Sequence, residues 1–113
     1  MTFPLRPAVE RRQYFRLVYP PELAPEVVIL GITFRVLDIS EKAIRFRKDF
    51  STRLDTGMTV QGVVIFQDLS KYEFKGYVLR VVNREAVVIF LKNLPYQKIM
   101  AEQLYIQRNS RNI

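Results

Sequence analysis

The stretch TVQGVVIFQDLSKYEFKGYVLRVVNREAVVIFL, residues 59–91, decides the fold class. It reads as three strands in succession. Thr59 to Gln67 is rich in β-branched residues, which suit a pleated, half-buried surface. Asp68-Leu69-Ser70-Lys71 makes a turn, and Tyr72 to Val82 returns as a long strand. Gly76 in the middle of that strand predicts a bulge or tight bend. Asn83-Arg84 is a two-residue hairpin turn, and Glu85 to Leu91 is a strand apolar on both faces, from Val87 through Leu91. Its outer face needs a cover.

The chain on either side supplies three more strands and that cover. Tyr14 to Tyr19 reads as a short strand stopped by Pro20-Pro21, and Glu22 to Glu26 as a loop. Val27 to Leu37 reads as one strong strand, with Ile32, Phe34 and Val36 facing one way and Thr33 and Arg35 the other. In Ala43 to Arg47 the alternation sends Ile44 and Phe46 to the core and both arginines outward. Asp49 to Thr56 reads as loop or irregular strand, closed by Gly57. Beyond the last strand, Pro95 suits a helix start. Tyr96, Ile99, Met100 and Leu104 then fall on one helical face. The helix is expected to fade near Arg108 and to cover the final strand. Short strands followed by a single helix call for an antiparallel sheet that must close on itself. A six-stranded antiparallel β-barrel with a C-terminal α-helix fits the 113 residues, an all-β fold in one domain. Residues 1–9, with Pro4 and Pro7 and no period, are expected to be a flexible arm, and residues 10–113 the domain.

Composition narrows the chemistry. There is no cysteine and no histidine. Disulfides, thiolate nucleophiles, Cys/His zinc sites and the usual general base of a hydrolase are therefore excluded. No acid–base pair and no phosphate-cradling glycine loop stands out, so an enzyme is not expected. No apolar run approaches the ~18 residues that span a bilayer. Neither does the N-terminus have the charged start and apolar stretch of a signal peptide, so a cytoplasmic protein without membrane insertion is expected. The net charge is +7, with twelve arginines against six lysines. That favours an anionic partner, and the planar guanidinium favours two-pronged recognition of phosphate or guanine.

Two short segments give this charge a shape. Glu10-Arg11-Arg12-Gln13-Tyr14-Phe15-Arg16 resembles the RxxxR signature that opens PilZ domains, and Asp38-Ile39-Ser40-Glu41-Lys42-Ala43 resembles their second signature, [D/N]xSxxG. A strong strand separates the two, as in that family, and the resemblance runs from about Glu10 to the closing helix. The same spacings recur at Arg80/Arg84 and Asp68/Ser70, but in the opposite order.

The resemblance implies a bacterial module that binds the second messenger cyclic di-GMP as its ligand, with no other cofactor. Arg11, Arg12, Arg16, Asp38, Ser40 and Ala43 would form the site. The arginines match phosphate and the O6/N7 edge of guanine. Asp38 matches the N1–H and N2–H₂ edge, and Ser40 can donate to phosphate. A stand-alone module acts through a partner protein, for which the family implies motility, pilus or polysaccharide machinery. Ala43 stands where the family has glycine. If that position needs φ > 0, alanine costs roughly 1–2 kcal/mol. Plainer readings exist for the same residues: Arg16 could pair with a surface acid, and Asp-x-Ser is ordinary turn chemistry. Outward Arg45 and Arg47 read as exposed strand positions that could extend an anionic groove. Two other functions compete. One is a PilZ-like adaptor that has lost the ligand. The other is a basic barrel for single-stranded nucleic acid, disfavoured because no basic–aromatic pattern repeats along one exposed face.

Overall fold

A computed structural model describes residues 14–49 and 51–110. Seven strands precede one α-helix: β1 Leu17–Val18, β2 Glu26–Ile29, β3 Ile32–Ile39, β4 Ala43–Arg47, β5 Thr59–Ile65, β6 Lys71–Val82, β7 Glu85–Phe90 and α1 Tyr96–Asn109. All pairings are antiparallel. Neighbours run β3-β2-β5-β6-β7-β4, and β4 pairs back onto β3, which closes a six-stranded barrel. No described helix is long and apolar enough to cross a membrane.

The number of barrel strands agrees with the sequence reading, but their membership differs. Val27 to Leu37 is two strands, not one. Leu30 and Gly31 both take positive φ, 57° and 76°, and turn the chain into a hairpin with Ile29 opposite Ile32. Glycine adopts this conformation freely, whereas leucine rarely does, so the apolar run hides the turn. Only Leu17–Val18 of the Tyr14–Tyr19 segment is strand, and it lies outside the closed ring, on the edge of β3 that β2 has left. Pro21–Leu23, read as loop, forms one turn of 3₁₀ helix.

The core is built from the inward positions of all six barrel strands. Val27, Val36, Ile44, Phe46, Val64, Val78, Val88 and Phe90 are almost completely buried. Phe74 and Phe90 meet edge to face at 5.1 Å, a favourable aromatic arrangement. Gly76 is not at a bulge. It pairs with both Val60 and Phe90, and a Cβ there would lie 2.2 Å from the Ile89 carbonyl oxygen. Its role is close strand approach, and the bulge of β6 falls three residues later, between Val78 and Arg80.

The helix also differs from its expected pose. Its buried residues are Ile99 and Glu102, while Tyr96, Met100 and Leu104 are exposed. Its polar contacts reach Tyr19, Asp68 and Ser70 at one end of the barrel. On the outer face of β7, Val87 and Ile89 remain half-buried.

Candidate functional site

The bulge in β3 sets the site. Phe34 and Val36 point into the core, and simple alternation would send Asp38 after them. The register against β4 instead slips between Val36 and Asp38. The extra residue places Ile39 in the core with no exposure and turns Asp38 to the outer face of the wall. There Asp38 lies opposite Arg45 on β4 and Val18 on β1.

Arg45 is the organising group. Its Nε donates to Asp38 Oδ2 at 2.8 Å, with Nη2 in ion-pair contact at 2.7 Å from the same oxygen, and its Nη1 donates to Glu85 Oε1 on β7 at 2.5 Å. Both bonds are charge-assisted and fix the guanidinium across three adjacent strands. The hydrogen bond to Asp38, opposed in part by burial and aided by Glu85, raises the guanidinium above its ordinary pKa. Asp38 is 5% exposed. In the sequence Arg45 reads as an exposed strand position that could extend an anionic groove, and Glu85 reads only as the start of the last strand. The available signal was the outward position of Arg45 beside a tight turn; Asp38 faces outward only because of the bulge.

Ser40 closes that turn. Its Oγ accepts from the N–H groups of Lys42 at 3.2 Å and Ala43 at 3.1 Å, and its own N–H donates to the Ala43 carbonyl at 2.9 Å. This is the local side-chain-to-backbone bonding that serine favours in turns. Ala43 begins β4 opposite Ile89. Neither Lys42 nor Ala43 has positive φ, so the penalty considered for alanine does not arise in this conformation.

Arg16 is exposed and directly precedes β1. Leu17 lies opposite Ile39 and Val18 opposite Asp38, and continuing that register by one residue brings Arg16 level with Ser40. Arg11 and Arg12 lie outside the described residues. Arg16, Asp38, Ser40 and Ala43 thus share one stretch of the barrel, where β1, β3 and β4 meet. Beside them the outer wall is apolar: Ala43 lies opposite Ile89, which lies opposite Tyr77, and Arg45 lies opposite Val87. A surface cavity of about 750 Å³ lies elsewhere, lined by residues of β2, β5 and β6 such as Val28, Val63 and Phe74, and none of these four residues lines it.

The closed six-stranded antiparallel barrel with one C-terminal helix is a PilZ-type fold. Solved structures of other proteins share it. The Bacillus subtilis inhibitor of motility MotI/DgrA superposes with a TM-score of 0.67 at 18% identity, covering 91% of this chain and 53% of its own. Escherichia coli YcgR, solved in complex with c-di-GMP, superposes with a TM-score of 0.66 at 21% identity, covering 90% of this chain and 48% of its own. The chain therefore spans about half the length of each. No sequence model of a family matches the chain, and no curated protein matches it in sequence.

Proposed function

We propose that the protein is a cyclic di-GMP receptor module that signals to a partner protein, with Arg11, Arg12 and Arg16 closing over a ligand seated against Asp38, Ser40 and Ala43. The observation that carries this reading is the meeting of β1 with the bulged end of β3. It brings the chain directly after Arg16 alongside Asp38. A neighbour of the same fold was solved with this ligand bound.

The chemistry of the wall suits a guanine nucleotide. Asp38 Oδ2 is taken by Arg45, which orients the carboxylate and leaves Oδ1 as an acceptor for a guanine N–H. Val87 and Ile89 offer an apolar surface for a purine face, and Arg45 and Arg80 are the strand neighbours of Val87 on either side. Binding orders the segment before β1 against this wall and changes the surface a partner meets. The partner belongs to motility, pilus or polysaccharide machinery, and the module works in the cytoplasm without chemistry of its own.

A second reading has a specific observation behind it. Asp38 is nearly buried and already ion-paired, and Ser40 is already engaged in its turn. A PilZ-like adaptor that works by protein contact alone would need nothing more from either residue.

Calorimetric titration separates the two. Wild type titrated with cyclic di-GMP gives a saturable heat, while GTP and cyclic di-AMP give none. Arg12→Ala and Asp38→Ala each weaken binding tenfold or more, about 1.4 kcal/mol or greater. Absence of heat from wild type and from Ala43→Gly selects the adaptor.

A further inference from the structure

The residue that follows β1 reaches the far end of the chain. The Tyr19 N–H donates to the Leu37 carbonyl at 3.0 Å, continuing the seat of β1 on β3. Its ring is in the core, 6% exposed, and its hydroxyl donates to Glu102 Oε1 on α1 at 2.6 Å. Glu102 is 3% exposed. Its other oxygen lies 3.5 Å from Lys98 Nζ, which also donates to Ser70 Oγ at 2.8 Å and to Asp68 Oδ2 at 3.2 Å, and lies 4.2 Å over the Phe66 ring. Burial, then the bond to Glu102, drives the Tyr19 phenol far above its ordinary pKa, so the hydroxyl stays a donor.

This helix has little else to hold it. Helices in proteins owe most of their stability to an apolar face packed against the rest of the molecule. Here Ile99 is the apolar side chain of α1 that is fully buried, Ile106 packs partially, and Tyr96, Met100 and Leu104 face outward. Docking of α1 thus rests heavily on the buried Glu102 carboxylate with its donor Tyr19, and on Lys98, which reaches Asp68, Ser70 and the Phe66 ring. A carboxylate left in that position without Tyr19 is costly, and lifting the helix into water relieves the cost.

We propose that Tyr19 and Glu102 form a latch that makes docking of α1 conditional on seating of β1, so that a ligand engaging the segment before β1 also controls whether the barrel end under α1 is covered. The trigger rests on the receptor reading above, whereas the latch itself is a property of the chain without ligand. Coupling of this kind is reciprocal: freeing α1 must loosen β1 by the same factor that freeing β1 loosens α1. What the latch controls is access to Phe66, over which Lys98 lies, and to Ile99, both almost fully buried with α1 in place.

Hydrogen exchange followed by mass spectrometry on the full chain tests this. Tyr19→Phe keeps the ring and removes the donor. Exchange over residues 97–109 then accelerates about tenfold or more, while β5, β6 and β7 exchange as in wild type. Glu102→Ala accelerates exchange at residues 17–19, and Glu102→Gln, which keeps an acceptor, restores most of the protection. Exchange in α1 within twofold of wild type in Tyr19→Phe, or uniform acceleration over the whole chain, overturns the latch. With cyclic di-GMP added, both segments slow together. Calorimetric binding that leaves α1 exchange unchanged overturns the link between ligand and latch. If no binding is detected, the receptor reading fails instead, and the ligand-free variants alone decide the latch.

Discussion

Two polar clusters of this small barrel are built differently. At the lip, Asp38, Arg45 and Glu85 come from β3, β4 and β7, which are adjacent in the sheet, and Arg45 is about one-third exposed. At the helix end, Tyr19 and Glu102 come from positions 83 residues apart in sequence and are both nearly buried. The lip cluster is positioned by strand register, so removing one member leaves its strands paired. The helix-end cluster is itself the attachment of an element, so removing one member detaches something. The first arrangement suits presenting a fixed surface to a ligand, and the second suits changing state.

The sharpest way to break this contrast is Tyr19→Ala, which deletes a core ring and the donor to Glu102. A loss of about 3–5 kcal/mol is expected in urea unfolding, with helical signal lost at lower denaturant than sheet signal. Coincident transitions would remove the distinction between the two ends. Arg45→Ala comes next. It strands Asp38 without its cation, but Arg45 is partly solvated, so about 1–2 kcal/mol is expected, and the helix and sheet signals should fall together. Arg45→Lys should recover little of this, because a single ammonium lacks the planar fork that meets Asp38 and Glu85 at once.

Ala43→Gly has a smaller effect. The residue sits in a strand with ordinary φ, so glycine costs about 0.5–1 kcal/mol of stability through backbone entropy. An increase in stability would show that alanine is strained there. Acid gives the smallest effect. Hydrogen bonds from Ser70, with Lys98 assisting, lower the Asp68 carboxyl to about 2. A depressed carboxyl contributes its full stabilisation above the ordinary unfolded value of about 4 and loses it as pH falls toward 2. Over that window, thermal unfolding should show the helix end weakening slightly ahead of the lip, and the reverse order would contradict the assignment of Lys98 to the helix clamp.

The turn from Asp38 to Ala43 was legible in the sequence; the ion-pair cluster beside it and the helix end were not. Asp38 to Ala43 could be read because turn chemistry and alternation are local: Ser40 bonds residues two and three positions on, and Ile44 and Phe46 point inward as their period requires. The hairpin at Leu30-Gly31 was missed because leucine at positive φ runs against local preference and only the glycine hints at the turn. Arg45 was legible as outward-facing but not as the partner of Asp38, since the bulge that turns Asp38 outward has no local marker. Glu102 was invisible. An acid inside an apolar pattern reads as the solvent side of a helix, and only the fold brings the Tyr19 hydroxyl to it. Of the helical stripe Tyr96, Ile99, Met100 and Leu104, only Ile99 is packed: periodicity finds a stripe but does not say what lies against it.

The receptor account is tested most directly by following the backbone amide resonances of ¹⁵N-labelled protein while cyclic di-GMP is added. The account predicts that shifts concentrate on Arg16, Asp38, Ser40, Ala43 and the neighbouring Val87 and Ile89. Shifts confined to the opposite wall around Val28, Val63 and Phe74, or no shifts at millimolar ligand, would contradict it.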